Sequence, residues 1–175
     1  MSLGVSHKNK WFAVQVMTRH EKAVACLLRY KGYEEFLPTY QKKRNGHLAT
    51  EESPLFPGYL FCRFDPENRA PLVTTPGILR VLGSGREPIP LEEAEIQAIE
   101  RVVKSGCPRE PWTMMRTGSR VRIERGPLAG LGGFFVASKK FGRFVIAVTL
   151  LQRAVAVDID IGSVTPVDSD SLIIG

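Results

Sequence analysis

Few groups in this chain have the type and spacing that covalent chemistry needs. The three cysteines, Cys26, Cys62 and Cys107, are scattered, with no C-x-x-C pair and no histidine at ligand spacing. Neither a zinc site nor a disulfide framework is expected. His20 has no Ser, Cys or acid that the sequence pairs with it, so it reads as a surface histidine and not as a general base. The glycine-rich stretch GPLAGLGG at 126–133 lacks the lysine and the following helix of a phosphate loop, which leaves turn formation in a β structure. With no paired carboxylates at a defined site, no nucleophile beside a base and no metal set, an enzyme is not expected and no cofactor is implied.

The remaining chemistry is recognition. PLFPGYLFCRF at 54–64 holds Phe56, Tyr59, Phe61 and Phe64, punctuated by Pro57 and Gly58. Strand alternation from Tyr59 onward sends Tyr59, Phe61 and Arg63 one way and Leu60, Cys62 and Phe64 the other. Both faces are mostly apolar. A core accounts for one of them, and the other needs a second layer of the fold or a partner. A second group is cationic: Arg19, His20, Lys22, Arg29 and Lys31 lie close together, and Lys42, Lys43 and Arg44 flank an Asn45-Gly46 turn. The formal net charge is +6, and residues 104–175 hold 10 Lys/Arg against 6 Asp/Glu. Such an excess suits a polyanionic partner without requiring one.

These residues need elements to hold them. WFAVQV at 11–16 is rich in strand formers. Thr18 and Glu21 then form a T-x-x-E capping box that predicts a helix start, with Ala23, Val24, Leu27 and Leu28 as its apolar stripe and Gly32 as its stop. EEFLPTYQKKRNGHLATEE predicts an irregular strand, a hairpin turn and a return. DPENRAPLVTT reads as a short helix or turn limited by Pro71 and Pro76, and GILRVL as a further strand. IPLEEAEIQAIERVVKSG predicts a second amphipathic helix, acidic at its start and basic at its end, with Ile96, Ile99, Val102 and Val103 spaced to pack on a sheet. Two helices on one face of a largely antiparallel sheet make an α+β sandwich of the ferredoxin-like kind, with the other sheet face open.

Residues 105–116, with two prolines and no clean period, read as a linker from which Trp112, Met114 and Met115 are candidates to dock on a domain. Beyond it SRVRIER, GGFFVAS, RFVIAVTLL and AVAVDIDI alternate like short strands of a small β-barrel. The division expected is 8–104, a linker 105–116, and 117–170. At 175 residues, 43% hydrophobic and 24% charged, the chain is of globular composition. No apolar run approaches the roughly 20 residues of a membrane span, and no signal-peptide pattern opens the chain, so a cytoplasmic protein is expected.

Four stretches carry a resemblance: Trp11 to Val16, LFPGYLF at 55–61, TTPGILRVL at 74–82 and GSRVRIERGPLAGLGG at 118–133, the last resembling a KOW motif. Taken in order they resemble the NusG family of transcription elongation factors, including specialised paralogs such as RfaH and the UpxY and LoaP groups. The resemblance implies an NGN domain followed by an SH3-like KOW barrel, with no catalytic activity. It implies that the NGN domain docks on the clamp helices of the RNA polymerase β′ subunit and suppresses pausing or termination. Trp11, Phe56, Pro57, Tyr59 and Phe61 match that surface, with Phe61 shared between core and interface. In specialised relatives the non-template DNA strand is read by a helix and a loop near a TxG stretch. Arg29 and Thr75 match such reading positions, and Arg19, His20 and Lys22 are further candidates that otherwise read as a solvated helix face, although Pro76 and Met17 replace basic residues of the RfaH pattern. The KOW domain is implied to recruit the ribosomal protein NusE or the termination factor Rho, through Leu128, Leu151 and Arg153. A specialised paralog that acts as a monomer is the expected reading. Its rivals are a housekeeping NusG and a KOW-containing RNA- or ribosome-binding protein. Gly126, Gly130, Gly132, Gly133 and Gly142, with the β-branched VIAVT, oppose helix and predict a permanent barrel.

Overall fold

The computed structural model describes residues 9–44, 50–113, 118–137 and 142–167. In chain order the elements are β1 (Lys10–Val16), α1 (Glu21–Tyr30), β2 (Glu34–Phe36), β3 (Thr39–Lys43), β4 (Thr50–Pro54), β5 (Tyr59–Phe64), α2 (Ala70–Val73), β6 (Ile78–Val81), β7 (Gly83–Ser84), β8 (Glu87–Pro88) and α3 (Glu93–Ser105). They continue with β9 (Arg109–Trp112), β10 (Ser119–Ile123), β11 (Gly132–Ala137), β12 (Gly142–Val148), β13 (Arg153–Ile159) and β14 (Val164–Pro166). Two compact units result, one of residues 1–38 with 56–96 and one of 39–55 with 97–175.

The first unit is built on a four-stranded antiparallel sheet of order β2-β5-β1-β6, the strand order of a ferredoxin-like α+β fold. Phe12, Val14, Val16, Leu60, Cys62 and Phe64 face a core completed by Val24, Ala25 and Leu28 of α1 and Leu72 of α2. Phe12 and Phe64 pack ring to ring with centroids 4.6 Å apart. Each such side chain contributes about 1.5–3 kcal/mol on burial, which is why α1 lies against this face.

Two expectations for α1 are corrected. The buried stripe is Val24, Ala25 and Leu28, whereas Ala23 is exposed and Leu27 is 38% exposed. The capping box does not form: the N-cap is His20, no side chain caps the helix, and Glu21 turns inward to a different donor. The helix does stop at Gly32, whose N–H bonds the Arg29 carbonyl.

The second sheet face is open only in part: Gln15 and Tyr59 are half-buried, and most of the rest is covered. The β1–β5 register pairs Trp11 with Arg63, Ala13 with Phe61 and Gln15 with Tyr59, which places these six residues together. Trp11, Ala13 and Phe61 are all buried there. Phe56 stands edge-on to Phe61 at 5.5 Å, and Phe36 lies 6.1 Å from the same ring. Leu91 donates its N–H to the Trp11 carbonyl at 2.8 Å, and Glu93, at the start of α3, pairs with Arg63, whose guanidinium lies over Trp11. The residues leading into α3 therefore cover much of the face that two helices on one side would have left bare.

The second unit holds the β3–β4 hairpin, whose Asn45-Gly46 turn lies outside the described residues, and a six-stranded antiparallel sheet of order β14-β10-β11-β12-β13-β9. Strands β10 to β14 are the small all-β, SH3-like part. Within 105–116, read as linker, residues 109–112 form edge strand β9 along β13. Its Pro111 suits an edge, where a missing N–H is tolerated, and hides the strand from a period-based reading. Trp112 packs against Val145, Ala154 and Ala156; Met114 and Met115 lie outside the described residues. Gly118 has φ +95°, and a Cβ there would meet the Phe135 carbonyl oxygen at 1.8 Å, so only glycine permits the entry into β10. No helix among the described residues is long and apolar enough to cross a membrane.

Candidate functional site

Three turns meet at one end of the first sheet. Gly58 is the hub: its carbonyl accepts the Val16 N–H at 2.9 Å, and its own N–H donates to Glu21 Oε1 at 2.9 Å. The Tyr59 N–H bonds the Phe56 carbonyl at 3.0 Å, closing a tight turn in which Gly58 takes φ +82°, a conformation that favours glycine. The Met17 N–H bonds the Gly77 carbonyl at 2.8 Å, which brings the turn before β6 alongside the one before α1. Arg19 sits in that latter turn at φ +70°, an uncommon state for a side-chain-bearing residue.

The aromatic candidates divide at this turn. Trp11, Phe56 and Phe61 are 3%, 1% and 0% exposed, so as exposed anchors they are corrected: their rings pack on one another and on the segment leading to α3. Pro57 is exposed and Tyr59 is half-buried, and these two remain on the surface.

The cationic candidates also differ in what they touch. Arg19, His20 and Lys22 are exposed, with His20 Nδ1 3.3 Å from the Thr18 carbonyl. Arg29 is held by Glu35, through Nε at 2.9 Å and through Nη2, and the hydrogen bond to that carboxylate raises its pKa. Thr75 is 2% exposed and accepts from Lys31 Nζ at 2.8 Å while lying 3.3 Å from the Pro71 carbonyl, so its hydroxyl ties α1 to the α2 segment instead of facing solvent. The sequence did not single out that lysine for this role, because its partners lie 40 and 44 residues away.

In the second unit, Leu128 is 2% exposed and Leu151 is 8% exposed, while Arg153 is exposed. The two leucines thus belong mainly to the barrel core. A cleft of about 300 Å³ opens beside Leu128, lined among others by Ile123, Arg125, Pro127, Ile159 and Asp160. Arg109 reaches the Thr39 carbonyl with Nε at 2.9 Å, and its burial lowers its pKa. Among the described residues no cluster of His, Cys, Asp and Glu could hold a metal ion.

Residues 9–100 match the family model described as "Transcription termination factor nusG". The chain belongs to the NusG family. It is 29% identical over 179 residues to the transcription termination/antitermination protein NusG of Thermus thermophilus, covering 89% of this chain and 97% of the relative. It is 28% identical to the protein of the same name from Escherichia coli K12, covering 90% and 96%. Among solved structures, one described as "Domain interaction in Thermotoga maritima NusG" superposes with a TM-score of 0.58 at 21% identity, covering 92% of this chain and 98% of that one, which supports the fold. The NusG match takes in β1, the hub turn at Gly58, the turn before β6 and the start of α3.

Proposed function

We propose that the chain is a transcription elongation or antitermination factor that docks on the β′ clamp helices of RNA polymerase through its NGN domain and suppresses pausing or termination. The reading rests on the family match across residues 9–100, and the hub turn within it is the part of that stretch where Pro57 and Tyr59 remain at the surface. Clamp helices present an apolar hairpin tip, and a rigid turn with one aromatic and one proline is suited to it, since few rotamers are lost on docking. The aromatics beneath, Trp11, Phe56 and Phe61, act as the floor that fixes the turn. The factor works without catalysis or cofactor, in the cytoplasm, as a monomer.

Domain limits of 8–104 and 117–170 belong to this proposal, with β9 of the connecting segment laid along the barrel. Exposed Arg19, His20 and Lys22, with Arg29, form a basic surface for single-stranded non-template DNA. Arg153 and the cleft beside Leu128 are where NusE or Rho would dock. A second reading, the housekeeping factor coupling transcription to Rho or translation, is favoured by the name NusG carried by the relatives above. A transcription assay on a paused template tests the proposal: the protein shortens pause lifetime, and Tyr59→Ala abolishes the effect. Unchanged pausing with the wild-type protein would refute it.

A further inference from the structure

Glu21 is 4% exposed, and with Thr75 it is one of two buried polar or charged side chains among the described residues. Its position in the sequence fits a capping box, in which its carboxylate would return to the backbone of Thr18. Instead Oε1 accepts the Gly58 N–H at 2.9 Å, 37 residues away, and the helix begins with no side-chain cap. The residue before its N-cap, Arg19, takes a left-handed backbone, so this helix start breaks two local preferences at once. Broken local rules concentrate where a site needs a geometry that local preference would not choose. Here the geometry obtained is that of the hub turn, whose Gly58 is held at its N–H by Glu21 of α1 and at its carbonyl by Val16 of β1, so that the Pro57–Gly58 peptide is fixed by the Glu21 carboxylate.

We propose that Glu21 is a positioning residue for polymerase docking: its carboxylate fixes the Phe56–Tyr59 turn so that Pro57 and Tyr59 are presented in the docking geometry. The inference rests on the docking reading above. Without the acceptor, the Gly58 N–H loses its partner inside the fold and the turn is free to rotate that peptide away. Glutamine retains a carbonyl oxygen at the same reach and preserves the bond.

The test uses the full chain and an isolated β′ clamp-helix fragment. Binding is measured for wild type, Glu21→Ala, Glu21→Gln and Leu72→Ala, alongside hydrogen exchange of the Gly58 amide. Leu72 is fully buried in the core under α1, so its truncation destabilises the unit without touching the turn. The expected result is affinity at least tenfold weaker for Glu21→Ala, with faster Gly58 exchange, and within about threefold of wild type for both Glu21→Gln and Leu72→Ala. Wild-type affinity in Glu21→Ala would overturn the positioning role and leave docking intact. Equal losses in Glu21→Ala and Leu72→Ala would assign the effect to stability and also overturn it, as would a Glu21→Gln protein as weak as Glu21→Ala. Absence of wild-type binding would overturn the docking reading and this inference together.

Discussion

Phe56→Ala separates the floor of the turn from its surface. The ring is 1% exposed and stands edge-on to Phe61 at 5.5 Å. Truncating a buried phenylalanine costs about 3–5 kcal/mol, and an aromatic pair adds about 0.5–1.5 kcal/mol beyond its area. A loss of about 4 kcal/mol is therefore expected, a large share of the roughly 5–15 kcal/mol that holds a domain. Tyr59 is half-buried, so Tyr59→Ala is expected to cost about 1–2 kcal/mol, in proportion to the smaller area returned to water. Urea unfolding followed by fluorescence reads both, because Trp11 lies on the same sheet face as Phe61 and is 3% exposed. The two units can unfold separately, so the comparison is made on the transition that moves Trp11 emission. A Phe56→Ala protein destabilised by less than about 1 kcal/mol would refute the reasoning and return the ring to the surface.

Other perturbations test neighbouring parts of the structure. Burial pushes the Cys62 thiol up to about 12 from 9.0, so at pH 8 a thiol reagent should label exposed Cys26 quickly and leave Cys62 protected until unfolding. The sign for stability follows from linkage. Above pH 9 the unfolded thiol has lost a proton that the folded one keeps, so the Cys62 contribution is full below pH 9 and declines between 9 and about 12. Cys62→Ala should flatten that part of an unfolding-versus-pH curve. Gly118→Ala should destabilise the barrel by more than the ~1 kcal/mol of an ordinary backbone substitution, since its Cβ would meet the Phe135 oxygen; a protein with unchanged thermal unfolding would contradict the close approach. Arg29→Ala should lower the unfolding midpoint, because it leaves the Glu35 side chain, only 7% exposed, without its guanidinium partner, while weakening single-strand DNA binding and flattening its salt dependence.

Periodicity made most elements legible. The alternation from Tyr59, the strand at 11–16 and the stripe Ile96, Ile99, Val102 gave strands and a helix where the structure has them, because burial on one face imposes the period directly. Features set by distant partners were not legible. Glu21 satisfied a local capping pattern, and nothing in sequence shows that Gly58 competes for it. The second sheet face read as open because the contacts that cover much of it join Trp11 to Leu91 and Arg63 to Glu93 across the chain. Strand β9 contains Pro111 and only four residues, too short to show a period, and its partner strand lies more than forty positions onward. The site followed the same division. Aromatic composition located the stretch 54–64, whereas which ring is floor and which is surface depends on packing from outside it.

Binding of the purified chain to an isolated β′ clamp-helix fragment tests the central claim most directly, with Tyr59→Ala as comparison. An aromatic anchor in a desolvated patch carries about 2 kcal/mol or more, so the variant should bind at least tenfold more weakly while keeping its fold. Saturable wild-type binding that Tyr59→Ala weakens to this extent is the predicted result. Equal binding by both proteins, or none by either, would contradict it.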